Sequence, residues 1–231
     1  MANQNNNTNY KNLVGPIAID GPVASGKSTV GKIIAERLEW PFADTGLMYR
    51  AIGYIMEKES ISINNNVKLY DHSLNAKITI NDDLVTLNGE DITDVITSPT
   101  ISKNASLVAE SSQIRQLLTN QQRNMVTQAR GKIVMVGRDI TTVIVPDTLH
   151  KFYLDAPSEI RSLRRLSQQN RAPSAKDIKN MQSQIDERDA RDLSRAASPL
   201  RISKDTQVIE TAHLTLVQVV EEIMVKLIKR K

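Results

Sequence analysis

The sequence predicts an α/β fold, and three observations near its start carry that prediction. The stretch Gly21-Pro22-Val23-Ala24-Ser25-Gly26-Lys27-Ser28-Thr29 fits the pattern Gly-x-x-x-x-Gly-Lys-[Ser/Thr]. The apolar run Ile17-Ala18-Ile19 before it reads as a short buried strand. After it, Val30, Ile33, Ile34 and Leu38 recur at i, i+3, i+4 and i+8, the stripe of a helix. A strand, a glycine turn and a helix in that order are the setting in which this pattern binds phosphate. Composition alone would produce the pattern by accident in roughly one chain in a hundred of this length, and the flanking elements make an accident rarer still.

The chemistry explains the residue types. Gly21 and Gly26 let the backbone turn and bring N–H groups close to a phosphate. The helix start adds unpaired donors and a positive dipole end. Lys27 is a mobile cation for β- and γ-phosphates and is expected to face solvent and ligand. The Ser28 hydroxyl can ligate Mg²⁺. The whole stretch 21–29 is therefore the candidate phosphate site, which the resemblance described below makes the ATP site.

At 231 residues the chain is one compact domain, or a core with small inserted lobes. Its net charge of +4 is mild; it fits an anionic ligand and by itself leaves nucleic acid open. There are no cysteines, so disulfides and thiol chemistry are excluded and a reducing, cytoplasmic setting is the simple expectation. No apolar run approaches a membrane span and no signal-peptide pattern opens the chain. Residues 1–12, polar and rich in asparagine, read as a disordered tail before a domain over 13–231.

Phe42-Ala43-Asp44 reads as a second strand. A helix follows with Leu47, Met48, Ala51, Ile52, Ile55 and Met56 on one face, Arg50 off that face, and Asp44 or Thr45 as N-cap. The pattern then changes. Ile78-Thr79-Ile80, Val85-Thr86-Leu87 and Glu90-Asp91-Ile92 read as short strands joined by turns at Asn81-Asp82-Asp83 and Asn88-Gly89. A small antiparallel sheet inside an α/β chain is expected to be an inserted lobe, over about 63–126. A helix over 101–109 follows. The next buries Ile114, Leu117, Leu118, Met125 and Val126 and puts Arg115 and Arg123 on the opposite face. Ile133-Val134-Met135-Val136 and Lys151-Phe152-Tyr153-Leu154 are buried strands ending at Gly137-Arg138-Asp139 and at Asp155. Ligand crevices in open α/β sheets lie beyond the carboxyl ends of strands, so Arg138, Asp139 and Asp155 are expected near the glycine loop.

The polar stretch 158–201 reads as helix, turn at Ala172-Pro173, helix, and carries Arg161, Arg164, Arg165, Arg171, Arg188, Arg191 and Arg195. Gln207-Val208-Ile209-Glu210 is a last strand, and Leu216, Val220, Ile223 and Leu227 mark a closing helix.

Arg188, Asp192 and Arg195 stand at i, i+4 and i+7, so one helical face presents two guanidinium groups around a carboxylate. Alone this is a surface ladder worth a few tenths of a kcal/mol per pair. Beside a phosphate loop, arginine can hold phosphate oxygens and aspartate a sugar hydroxyl. Arg161, Arg164 and Arg165 fit either a charged exposed face or a lid that closes over triphosphate and stabilises transition-state charge. His72, His150 and His213 are scattered and take no role. No Ser/His/Asp or metal-ligand spacing is present. A phosphate monoester acceptor needs no general base, because its second pKa near 6 leaves it largely deprotonated at pH 7. Positioning and charge stabilisation by arginines and one lysine are then enough.

From Ile17 onward the chain resembles the bacterial cytidylate kinases. The resemblance rests on Ile-Asp-Gly-Pro before the loop, Asp44-Thr45-Gly46-Leu47-Met48-Tyr49-Arg50, Asn104-Ala105-Ser106, Gly137-Arg138-Asp139 with Pro146-Asp147, and Glu187-Arg188-Asp189-Ala190-Arg191-Asp192 with Arg195. It implies a five-stranded parallel sheet core of the phosphate-loop NTPase kind, over about 13–62, 127–157 and 202–231. It also implies a monophosphate-binding lobe and a helical lid over 158–201, and ATP with Mg²⁺ phosphorylating CMP or dCMP. Carried over by position, Thr45, Arg50, Arg138 and Arg188 would hold the acceptor phosphate, and Ser106, Arg115 and Asp139 would read cytosine. Arg188 and Asp192 would contact the sugar; Arg161, Arg164, Arg165 and Arg195 would be lid or phosphate contacts. Lys27, Arg138 and Arg188 are the catalytic candidates. Two positions depart from the family pattern: Val136 where an aspartate is usual, and Thr141 where a glycine is usual. The first leaves Mg²⁺ to Ser28 and solvent, and the second stiffens its loop.

The expected reading is a monomeric ATP-dependent CMP or dCMP kinase with small-molecule substrates, no nucleic acid and no membrane. Its rivals are a kinase for UMP or AMP, and a basic nucleotide-switch protein that binds nucleic acid with steep salt dependence.

Overall fold

The computed structural model describes residues 10, 12–81, 84–167 and 173–229. The chain runs β1 (Ile17–Asp20), α1 (Lys27–Leu38), β2 (Phe42–Asp44), α2 (Thr45–Lys58), α3 (Asn66–Leu74), β3 (Ile78–Asn81), β4 (Leu84–Leu87) and β5 (Glu90–Asp91). It continues α4 (Pro99–Val108), α5 (Ser112–Gln128), β6 (Val134–Gly137), β7 (His150–Asp155), α6 (Ser158–Ser167), α7 (Ala175–Ser194), β8 (Gln207–Glu210) and α8 (Leu216–Lys229). A 3₁₀ turn precedes α4 at Val95–Thr97, and a π turn, Ile140–Ile144, follows β6.

The main sheet has five parallel strands in the order β2-β6-β1-β7-β8. Its central strands are apolar and buried on both faces, as parallel strands covered by helices must be. Ile17, Ile19, Val134, Val136, Phe152 and Leu154 pack under α1 and α8. Ala18, Ala43 and Met135 face the other way, onto Ile140 and Ile144. The predicted strands and the predicted helices α1, α2, α4, α5 and α8 are all present, and Asp44 caps α2 by accepting from the Gly46 N–H. β3, β4 and β5 form the separate antiparallel sheet, and the Asn88-Gly89 turn has positive φ at both residues, as a tight hairpin needs. With α2 to α5 this sheet encloses its own apolar cluster around Leu69, Val85, Ile96 and Leu118.

Three expectations are corrected. The helix α3 has no counterpart in the sequence reading, because it buries only Leu69 and Ser73 while Val67 and Leu74 stay exposed. In α5, Leu117, Met125 and Val126 are half-buried, and Arg115 does not share an exposed face with Arg123. Arg115 is 3 % exposed, whereas Arg123 holds the carbonyls of Val143 and Ile144. Asp82, Asp83, Arg171, Ala172 and most of the 1–12 tail lie outside the described residues. Among the described residues, no helix is long and apolar enough to cross a membrane.

Candidate active site

The order of the sheet decides what can meet. β1 lies between β6 and β7, so the loops after β1 and β6 open at the same edge. After β1 the chain turns at Gly21, where any Cβ would run into the carbonyl oxygen of Leu154. Gly26 starts α1 at φ 94, a left-handed value that suits glycine, and no side chain caps the helix. The first N–H groups of α1 are therefore left for an anion.

Lys27 does not face solvent as expected. It is buried, and its Nζ folds back onto the Pro22 carbonyl at 2.7 Å and the Ser25 hydroxyl at 3.3 Å. Burial, with the nearby Arg138 charge, holds its ammonium well below the usual lysine pKa. Ser28 donates to the Asp44 carboxylate at 2.5 Å. The Val23 N–H donates to Asp189 of α7 at 3.2 Å, so a carboxylate already occupies one donor of the loop.

Across the cleft, Arg138 donates through Nε to Asp192 at 2.8 Å, and Arg195 donates to the same carboxylate at 3.3 Å. Burial would raise the Asp192 pKa, but Arg138, Arg195 and Arg188 outweigh it and the net shift is downward. Arg188 reaches Ser102 at 2.9 Å, and Arg50 reaches Ser102 and the Ile96 carbonyl. Burial and the charge of Arg138 push the Arg188 guanidinium down to about 10. Arg115 and Asp139 form a buried pair at 2.5 Å, with the guanidinium 5.2 Å from the centre of the Tyr49 ring. Burial pushes the Tyr49 hydroxyl up to about 12. Ser106 accepts from Arg191 at 3.1 Å, and Thr45 donates to the Val136 carbonyl at 3.0 Å. The Nε of Arg115 and of Arg188 and a terminal nitrogen of Arg195 are buried without an acceptor among the described residues.

These groups line one cleft of about 990 Å³ that contains Val23 to Val30, Thr45, Arg50, Ser106, Arg115, Arg138, Asp139, Arg164, Arg165, Arg188, Asp192 and Arg195. Gly21, Pro22, Arg161 and Asp155 do not line it. Arg161 is 6 % exposed and ties the Ala156 and Val23 carbonyls to Asp189. Arg164 donates to the hydroxyl and carbonyl of Thr211. Asp155 holds the Ala156 N–H with its side chain and Thr211 with its backbone.

Two residues escape the sequence reading: Asp44, read there only as a helix cap, and Asp189. The signal for both lay in the motifs around Thr45 and Arg188, but nothing in the spacing says which backbone or hydroxyl each carboxylate meets. Val136 and Phe42 both pack over Gly31, and Asp44 is the register partner of Val136 across β2 and β6.

The cleft thus offers a bare helix start, the buried Lys27 and a ring of arginines with spare donors, which is equipment for a multiply charged phosphate ligand. The family model for Cytidylate kinase matches residues 17–230. A cytidylate kinase of Caldanaerobacter subterraneus subsp. tengcongensis is 38% identical over 213 residues, which is 92% of this chain and 94% of that one. The cytidylate kinase of Ligilactobacillus salivarius is 39% identical over 90% and 94% of the two chains, and that of Mycoplasmoides gallisepticum 36% identical over 90% and 91%. The family match begins with the first strand of the main sheet and runs past the end of α8, and on that ground the chain belongs to the cytidylate kinase family.

Proposed function

We propose that the chain transfers the γ-phosphate of ATP to CMP or dCMP, giving ADP and CDP or dCDP. The observation that carries this reading is the meeting, in one cleft, of loop residues 23–29 with the buried Arg115–Asp139 pair and three unpaired guanidinium donors. The triphosphate lies on the loop, where Lys27 turns from the Pro22 carbonyl to the β- and γ-phosphates. Arg164, Arg165 and Arg161 are proposed as lid contacts, the last acting from behind the loop. The acceptor phosphate is held by Thr45, Arg50, Arg138 and Arg188, and the sugar by Arg188 and Asp192. Asp139 accepts from the cytosine N4 amino group, Arg115 donates to N3 or O2, and Ser106 adapts to either. Uracil would set its O4 lone pairs against Asp139 and its N3–H against Arg115.

Mg²⁺ suits the donor set. A serine hydroxyl and one carboxylate, Ser28 and Asp44, are hard oxygen ligands, and Mg²⁺ takes few of these beside water and substrate phosphates. Ser28 and Asp44 would hold the ion, which would supply positive charge against the negative charge of the phosphoryl group in transfer. Arg138 and Arg188 supply the remaining stabilisation, and a deprotonated acceptor phosphate attacks without a base. The lobe over 63–126 and the lid over 158–201 are proposed to move on the core of a monomer.

A coupled assay of ADP release, run with CMP, dCMP, UMP and AMP, tests the reading. CMP and dCMP should be the best acceptors. A preference for UMP or AMP overturns the acceptor. No transfer to any of them, together with salt-sensitive RNA binding, returns the nucleotide-switch alternative.

A further inference from the structure

Asp20 is a buried ionisable group that the phosphoryl-transfer scheme above leaves without a task. It is the last residue of β1, fully buried, and does not line the cleft. Its Oδ1 accepts from the Ile140 N–H at 3.0 Å, and its Oδ2 accepts from the Thr141 N–H at 2.8 Å and the Thr141 hydroxyl at 2.7 Å. The two N–H groups open the π turn, where the first donors of any helical turn have no partner of their own. A carboxylate 120 residues upstream supplies it. Burying a charge without such partners is costly, so the site is built to keep the carboxylate here.

What lies on either side of this contact gives it a use. Asp20 is followed at once by Gly21, the start of the phosphate loop. The clamped pair Ile140 and Thr141 is preceded at once by Arg138 and Asp139, which line the cleft. Asp20 also faces Gly137 across the β1–β6 ladder, so one residue grips the acceptor loop by backbone and side chain together. We infer that Asp20 is a positioning residue: it fixes the acceptor-reading residues Arg138 and Asp139 at a set distance from the phosphate loop. The inference rests on the acceptor assignment made above for Asp139. Small misplacements of reacting groups are expensive, which is why such a tie matters for transfer between two bound substrates. The Thr141 hydroxyl adds a third donor to the two backbone N–H groups.

Asp20→Asn keeps the shape but replaces one acceptor oxygen with an NH₂ group facing N–H donors. Thr141→Val keeps the branched shape and removes only the hydroxyl. Both should be measured on protein shown folded by circular dichroism, with ATP, CMP and UMP. In Asp20→Asn the KM for CMP should rise roughly tenfold and the CMP-to-UMP ratio of kcat/KM should fall by about as much. The KM for ATP should stay within about twofold. Thr141→Val should move the same two quantities in the same direction by roughly two- to fivefold. A purely structural Asp20 would lower the melting temperature and leave both quantities alone, and that result in a folded variant overturns the inference. Should Asp20→Asn fail to fold, Thr141→Val decides alone: a shift supports the clamp and no shift overturns it. Should the wild-type chain use CMP and UMP equally, the reading of Asp139 fails. The split between the KM values for acceptor and for ATP then judges the clamp by itself.

Discussion

At the scale of single residues, Lys27 carries the sharpest expectation. Its ammonium is buried and held below its ordinary pKa, so it weighs on the folded state until a triphosphate arrives. Lys27→Ala should cut turnover by about a hundredfold or more while keeping or raising the melting temperature. Turnover near wild type in the folded variant would sink the assignment. Asp139 is different, because it neutralises a buried Arg115. Asp139→Ala should collapse the CMP-to-UMP ratio and also cost about 3–5 kcal/mol of stability, the usual result of orphaning a buried charge. Equal loss on both substrates would show that Asp139 does not read the base. Asp20 gives a pH signature. Burial is the main reason its carboxyl is pushed up to about 6 from an ordinary 3.8, against hydrogen bonds from Thr141 that lower it. The folded state therefore holds this proton more tightly than the unfolded chain does. The resulting stability is fully present below the lower value and is lost as pH rises through the higher one. Relative to Asp20→Asn, the wild type should lose on the order of 3 kcal/mol between about pH 4 and 6 and run parallel above. Urea midpoints that stay parallel across that window would contradict this.

At the scale of elements, α7 is held by polar contacts. It buries only Ile185 and Asp192, and touches its neighbours through Asp189 on the phosphate loop, Arg188 on Ser102 and Arg191 on Ser106. Few buried apolar groups mean a low cost of local opening. Hydrogen exchange should find the amides of α6 and α7 fast in the free protein and slowed when CMP and a non-hydrolysable ATP analogue bind together. Equal protection in both states would count against a lid. The elements also show what a sequence reveals. β1, β2 and β8 were legible because short apolar runs between turn residues have few other uses. The helix α3 was not, since one buried leucine makes no stripe. The π turn was not, because the carboxylate that caps it comes from another strand. In α5 the arginines misled for a related reason: a charged side chain beside Ile114 and Leu118 reads as solvated until its partner, Asp139, is brought to it by the sheet.

At the scale of the whole molecule, strand order converts distant motifs into one site. The phosphate loop, Arg138-Asp139 and the α7 arginines are far apart in sequence, and a parallel sheet with β1 between β6 and β7 brings the first two to one edge. The motifs named most of the cleft residues. They did not say that Arg161 and Asp155 would serve the loop and Thr211 from outside it. The assembled cleft is crowded with like charge: Arg50 is depressed by burial and Arg165, and Arg188 by burial, Arg138, Arg50 and Arg165. Bound nucleotides would relieve that repulsion as well as fill the cleft. The melting temperature should rise with either nucleotide and rise furthest with CMP and the ATP analogue together. No rise with saturating ligand would show that the arginines do not face them.

That crowding has a bearing on the protein's lifetime. A protein whose counterions are its own substrates is weakest when idle. Nucleotide supply would then act as a preservative: when the pool falls, the opened and protease-sensitive fraction grows exponentially with the binding free energy lost. Abundance of this chain would follow its substrates with no regulator in between.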